Sequence, residues 1–203
     1  SEWSCGANAS NIVTAHFNSA SGTLTFSGEG AMENYQTMHF VAPWKEISNQ
    51  IKKIVIENGV TSIGSNAFYQ CSDMQATLDL SDAKALTSIG NNAFYGCSSL
   101  NGYLTLPSQL TVIPSCAFWN CSQLKVQGGL KIPENVKSIG WGAFRGCAQL
   151  KGSLTLPKNI ESIGRQAFYD CTGLTGTFKI PDTVTEIEQE TFYHCGLDFI
   201  FPS

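Results

Sequence analysis

The sequence predicts a β-rich repeat solenoid: six right-handed coils, stacked in a row, with short strands and helical or 3-10 turns. Two observations carry this prediction. An Ala-Phe pair or its near equivalent, with Cys three residues after the Phe, recurs at Phe68/Cys71, Phe94/Cys97, Phe118/Cys121, Phe144/Cys147, Phe168/Cys171 and Phe192/Cys195. The steps between successive Phe residues are 26, 24, 26, 24 and 24. A unit this short cannot bury its own apolar residues. Stacked units can, because each apolar column then holds one residue per coil in a continuous core.

The elements follow in chain order. Residues 1–50 read as an N-terminal β cap. Within it Asn11 to Phe17 alternates apolar and polar, a Ser- and Gly-rich turn follows, and Thr23 to Ser27 alternates again, the pattern of a hairpin. A cap is needed because a terminal coil has a bare apolar face and an unpaired edge. Residues 51–203 hold the six repeats and a capping strand. Each repeat opens on an apolar-x-apolar triplet: Ile54/Ile56, Leu78/Leu80, Leu104/Leu106, Leu130/Ile132, Leu154/Leu156 and Phe178/Ile180. The triplet alternates as a short strand does. An aliphatic-x-x-Ile segment, from Val60/Ile63 to Val184/Ile187, reads as a second extended piece. The stretch around Ala-Phe lacks that alternation and reads as one helical or 3-10 turn. Gly64, Gly90, Gly140 and Gly164 after the Ile suit a bend needing positive φ or close backbone approach, and Pro114 and Glu188 interrupt that column. Leu197, Phe199 and Phe201 alternate before Pro202, as a final strand over coil six would.

The unit L-x-L-P-x-x-V-x-x-I-G-x-x-A-F-x-x-C-x-x-L resembles the BspA-like leucine-rich repeat of the TpLRR type, over residues 51 to about 197. The first 50 residues resemble the leader that often precedes such repeats, in Cys5-Gly6, the run Ser21 to Met32 and Pro43-Trp44, continuing into Ile51 to Gly64. The resemblance implies a secreted or cell-surface bacterial protein, its signal peptide removed, that binds other proteins. It extends to adhesion to host extracellular-matrix proteins such as fibronectin and fibrinogen.

Composition excludes other classes. The chain of 203 residues is 42% hydrophobic and 11% aromatic, so it is not disordered. A net charge of −4, with 12 Lys and Arg against 16 Asp and Glu, argues against nucleic acid. No apolar run approaches the roughly 20 residues of a membrane span.

Eight cysteines admit three readings. Six form one repeat column, and in-register neighbours about 4.8 Å apart pointing the same way suit buried thiols better than disulfides. Four disulfides are the rival. Zinc fits least, because no Cys-x-x-Cys pair exists. Cys5 and Cys116 stand outside the column.

The sequence shows no catalytic motif, and neither an enzyme, a metal nor a cofactor is expected. His16 sits in a cap strand, His39 in a loop, and His194 just before the last column Cys. Glu190 and His194, four apart, would share a face if that turn were helical. Glu186, Glu188 and Glu190 alternate, and read as a solvated acidic edge. Asn8 heads a glycosylation sequon, which matters only in a eukaryotic secretory route.

The candidate binding site is a surface column directly after each repeat Phe: Tyr69, Tyr95, Trp119, Arg145, Tyr169 and Tyr193. Tyr, Trp and Arg dominate interface hot spots. Trp141 adds a large ring where other coils have Ser65, Asn91, Ser115, Arg165 and Gln189. The stripe serves as an adhesive surface for protein, as a stacking platform for sugar rings, or simply as shielding for the turn beneath. A second column, Val55, Asp79, Thr105, Lys131, Thr155 and Lys179, lies on the strand face.

Overall fold

A computed structural model describes residues 1–200, so Phe201 and Pro202 of the expected final strand lie outside the described residues. The cap is an antiparallel meander of β1 (Glu2–Ser4), β2 (Ile12–Asn18) and β3 (Thr23–Ala31). β3 then starts the solenoid. Its first half pairs in parallel with β4 (Lys53–Ile56), and its end pairs in parallel with β5 (Val60–Ile63). One strand can serve both because it bends at Gly28 and Gly30, whose φ of 101° and 104° a side chain would strain.

The later coils contribute β6 (Thr77–Asp79), β7 (Ser88–Ile89), β8 (Val112–Ile113), β9 (Leu130–Lys131), β10 (Ser138–Ile139), β11 (Leu154–Thr155), β12 (Ser162–Ile163) and β13 (Thr175–Lys179). The apolar-x-apolar segments stack along one side as β3-β4-β6, then β9-β11. The aliphatic-x-x-Ile segments stack along a second as β3-β5-β7, then β8-β10-β12. β14 (Gly196–Ile200) pairs in parallel with β13 of coil six. Two expected strands are missing among the described residues: coil three forms none at Leu104–Leu106 and coil six none at 184–187, where Ile187 is exposed.

Pro114 explains the gap between β7 and β8. Gly90, Gly140 and Gly164 each donate their backbone N–H to the Ile carbonyl of the preceding coil, at 2.7–2.8 Å. Pro114 has no N–H to offer Ile89. The same glycines do not take positive φ. They are required by close approach: a Cβ on Gly90 would lie 2.2 Å from the Ser65 nitrogen, and one on Gly164 2.7 Å from that of Trp141.

The third side corrects the helical expectation. It is a run of i to i+3 turns, such as Tyr69 N–H to the Asn66 carbonyl and Cys71 N–H to the Phe68 carbonyl. The residues two before and two after each Phe take positive φ, from Asn66 (56°) and Gln70 (52°) to Glu190 and His194 (58° each). This alternation sends every second N–H to the next coil. Asn66, Phe68 and Gln70 donate to the carbonyls of Asn91, Ala93 and Tyr95, and the triplet of bonds repeats down the stack. Asn, Asp and Gly tolerate the left-handed region best, which accounts for Asn66, Asn92, Asn120, Asp170, Gly96, Gly142 and Gly146 at these sites.

Inside, Phe68, Phe94, Phe118, Phe144, Phe168 and Phe192 stack with centroids 5.1–5.5 Å apart and planes within 8°. Phe26 and Trp44 close this stack at the cap, and Phe199 closes it beyond Phe192. The cap also completes the bond ladder. The outward-facing carbonyls of Ser65, Ala67 and Tyr69 accept bonds from the Tyr35 N–H, the Trp44 Nε1–H and the Lys45 ammonium. Trp44 thus replaces the backbone donor of a coil that is not there.

All eight cysteines are free thiols, as the core-thiol reading expects. From Cys97 onward each column Sγ–H donates to the Phe carbonyl of the preceding coil at 2.9–3.1 Å. Cys116 occupies the left-handed position before Phe118, with φ 57°.

Candidate functional site

The turn geometry points each Phe inward and the residue after it outward, and the six outer side chains form one continuous ladder. Tyr69 stacks on Tyr95 at 5.1 Å, Tyr95 on Trp119 at 5.5 Å, and Tyr169 on Tyr193 at 5.0 Å, with interplanar angles of 20–28°. Arg145 fills the gap: its guanidinium carbon lies 4.5 Å from the Trp119 ring and 4.3 Å from the Tyr169 ring. A guanidinium plane can stack on both faces where an ammonium could not. Trp141 meets Trp119 edge-on at 5.3 Å and is 48% exposed, as is Tyr193. Gly142 makes room, since a Cβ there would sit 2.5 Å from the Trp119 ring.

Sequence reasoning missed both ends of the ladder. Lys45 lies 6.0 Å from the Tyr69 ring centroid, and His194 stacks on Tyr193 at 4.0 Å. Lys45 comes from the 3-10 helix Pro43–Gln50, the only helix among the described residues. His194 is legible only through the next coil-to-coil column, where its Nδ1 lies 2.8 Å from Asp170 Oδ1.

A second polar column flanks the ladder. Arg145 donates to Gln166 Oε1, and Gln166 donates to Glu190 Oε2. Glu190 also lies 3.9 Å from Arg165. Glu190 and His194 therefore bond back to coil five rather than to each other. Among the described residues, no group of three or more His, Cys, Asp or Glu could hold a metal ion, and no helix is long and apolar enough to cross a membrane.

The ladder is a row of preorganised side chains. The rings are immobilised by stacking, so a partner ordering them loses little entropy. Their faces are occupied by one another, while edges and phenol oxygens remain partly exposed. Among the described residues, the hydroxyls of Tyr69, Tyr95, Tyr169 and Tyr193 bond to no other side chain. Burial pushes the Tyr95 phenol upward, so it remains a protonated donor at neutral pH.

The family model for the BspA type leucine rich repeat region matches residues 45–152 and 127–201, with six copies. A leucine rich cell surface protein of Faecalibacterium prausnitzii is 28% identical, with a TM-score of 0.66 over 99% of this chain and 54% of its own. The leucine-rich repeat protein of T. pallidum is 24% identical (TM-score 0.50; 87% of this chain, 72% of its own). One from Bacteroides ovatus is 22% identical (TM-score 0.53; 94% and 52%). The last two show the fold alone. The chain spans about half the length of the Faecalibacterium protein. No curated protein sequence matches it. Six tandem units, their Phe and Cys columns and this profile match agree, and the chain belongs to the BspA-type leucine-rich repeat family.

Proposed function

We propose that this chain is a non-enzymatic binding scaffold of a bacterial cell surface, and that its ladder docks a protein partner. Family membership supports protein interaction as the role. The name of the Faecalibacterium relative, a cell surface protein, supports the location. The observation that carries the reading is the row of immobilised rings whose phenol oxygens, among the described residues, have no side-chain partner, with a stacked guanidinium at its centre. Tyr, Trp and Arg held rigidly in line are what an interface hot spot requires.

The finer reading is adhesion to host extracellular-matrix proteins. Binding of the chain to immobilised fibronectin and fibrinogen tests it, with the variant Tyr95→Ala/Trp119→Ala. Saturable binding that the variant loses is the expected result, and no saturable binding overturns it. A glycan platform is the weaker reading, because sugar rings stack on open aromatic faces and the ladder's faces are taken. Only Trp141, edge-on to its neighbour and half exposed, offers one. A glycan array on the wild type and Trp141→Ala separates the two.

A further inference from the structure

Coil three interrupts the strand face, and the interruption forms a groove. Three cavities run together there, of about 740, 410 and 270 Å³, and Thr105 lines all of them. No ladder residue lines any of the three.

The cause is visible in the repeat lengths. Two coils are two residues longer than the rest, and both place the extra length beside coil three, at residues 81–85 before Leu86 and residues 125–129 before Leu130. On the strand face the main chain of coil four stays bonded to coil three only at its start, where the Leu104 N–H donates to the Lys125 carbonyl at 2.7 Å and the Lys125 N–H to the Gly102 carbonyl at 2.9 Å. Val126 to Gly129 then carry the chain away. When it straightens, Leu130 and Ile132 donate to Ser153 and Thr155 of coil five. Alternation along a parallel strand turns the Lys131 amide the other way, toward coil three. Across the groove, among the described residues, the Leu106 N–H, which alternation from Leu104 turns toward coil four, has no hydrogen-bond partner, and Lys131 meets no backbone partner on coil three; the Thr105 N–H, equally unpartnered, faces coil two. Both walls therefore present main-chain donors and acceptors that a regular ladder would have paired.

The floor is apolar, with Leu104, Leu106, Leu130 and Ile132 beneath. The charges of the lining are unbalanced. Lys53 and Asp79 neutralise each other at 2.8 Å. Among the described residues, Lys84 and Lys131 have no ion-pair partner, against the single unpaired carboxylate of Glu134 in the lining.

We infer that this groove is a second binding site, independent of the ladder, and that it takes an extended peptide segment of a partner protein. The segment adds as a strand at coil three. Its main chain bonds Leu106 and Lys131 and passes beside Thr105, its apolar side chains face the leucine floor, and an acidic residue meets Lys131. Strand addition draws affinity from the main chain and selectivity from alternate side chains.

The test uses the blocked pentapeptide Thr-Val-Glu-Val-Thr, titrated into the whole chain and followed by amide NMR. The expected result is saturable shifts at Thr105, Leu106 and Lys131, with Tyr95 and Trp119 unmoved. Lys131→Glu should weaken binding about threefold, the scale of one exposed ion pair. A peptide N-methylated at its central amides should not bind, because its donors are gone. The proposal is overturned if those three amides do not shift, if the N-methylated peptide binds equally well, or if Thr-Val-Lys-Val-Thr binds as tightly. Loss of matrix-protein binding by ladder variants would leave the groove shifts intact, so the two proposals fail separately.

Discussion

The turn face and the strand face of the same coils repeat with different fidelity. On the turn face every step from one coil to the next makes the same three backbone bonds, and the Phe stack varies by only 0.4 Å in spacing. On the strand face the ladder stops at coil three and resumes as an isolated pair, β9 and β11. All of the length variation falls outside the Gly-x-x-Ala-Phe-x-x-Cys stretch. A position locked by a ring stack, a thiol bond and two left-handed residues cannot absorb an insertion, whereas an open strand edge can. The regular face therefore supports the ladder, and the irregular face opens the groove.

Alkali should damage the regular face most, because the column thiols lie there. Burial raises Cys71 from 9.0 to about 11 and pushes Cys97, Cys121, Cys147 and Cys171 up as well, while the hydrogen bond with Cys171 lowers Cys195 at the open end of the column. A thiol whose folded pKa is raised contributes stability that is whole below pH 9. That stability is lost as pH climbs toward the folded value, because only the unfolded chain ionises. Each thiol forfeits up to about 1.4 kcal/mol per unit. Tm should hold from pH 7 to 8.5 and fall steeply between pH 9 and 11. A flat Tm across that window would show that the thiols are not buried as described.

Single substitutions rank below this. Phe144→Ala removes a fully buried ring from the stack and should cost about 3–5 kcal/mol in urea unfolding. Leu106→Ala, at the groove, should cost about 2 kcal/mol, the low end for such a truncation. Equal costs would erase the distinction between the faces. Trp44→Phe keeps the ring stack and strands the Ala67 carbonyl, for about 1–3 kcal/mol. Pro114→Gly should change stability by less than about 1 kcal/mol while returning a donor to face Ile89. Its signature is a new amide at residue 114 protected from hydrogen exchange, and exchange there at the rate of an open chain would mean that β7 and β8 remain apart for another reason. Gln70→Gly, at an exposed left-handed position, should be stabilising by about 0.5 kcal/mol.

The ladder was legible because its residues recur at a fixed offset from the Phe column, so one coil predicts the next. The groove was not read, although its signals were present: two lengthened units on either side of coil three, and one Pro in a Gly column. Period counting registers such changes as loop tolerance and is silent on which backbone groups they leave unpaired. The helical reading of the turn failed for a related reason, since apolar spacing does not report the sign of φ.

The sequence alone determined the architecture, the number of coils, the inward columns and the outward aromatic stripe, because a stacked repeat converts period directly into neighbours. Only the tertiary structure decided how the stack begins and where it opens. Whether Trp44 and Lys45 stand in for a missing coil, whether Arg145 fits between two rings, and whether Thr105 finds a partner all depend on contacts between segments 23–26 residues apart. Hydrogen bonds and ring stacking are directional, and a count of residues carries no directions.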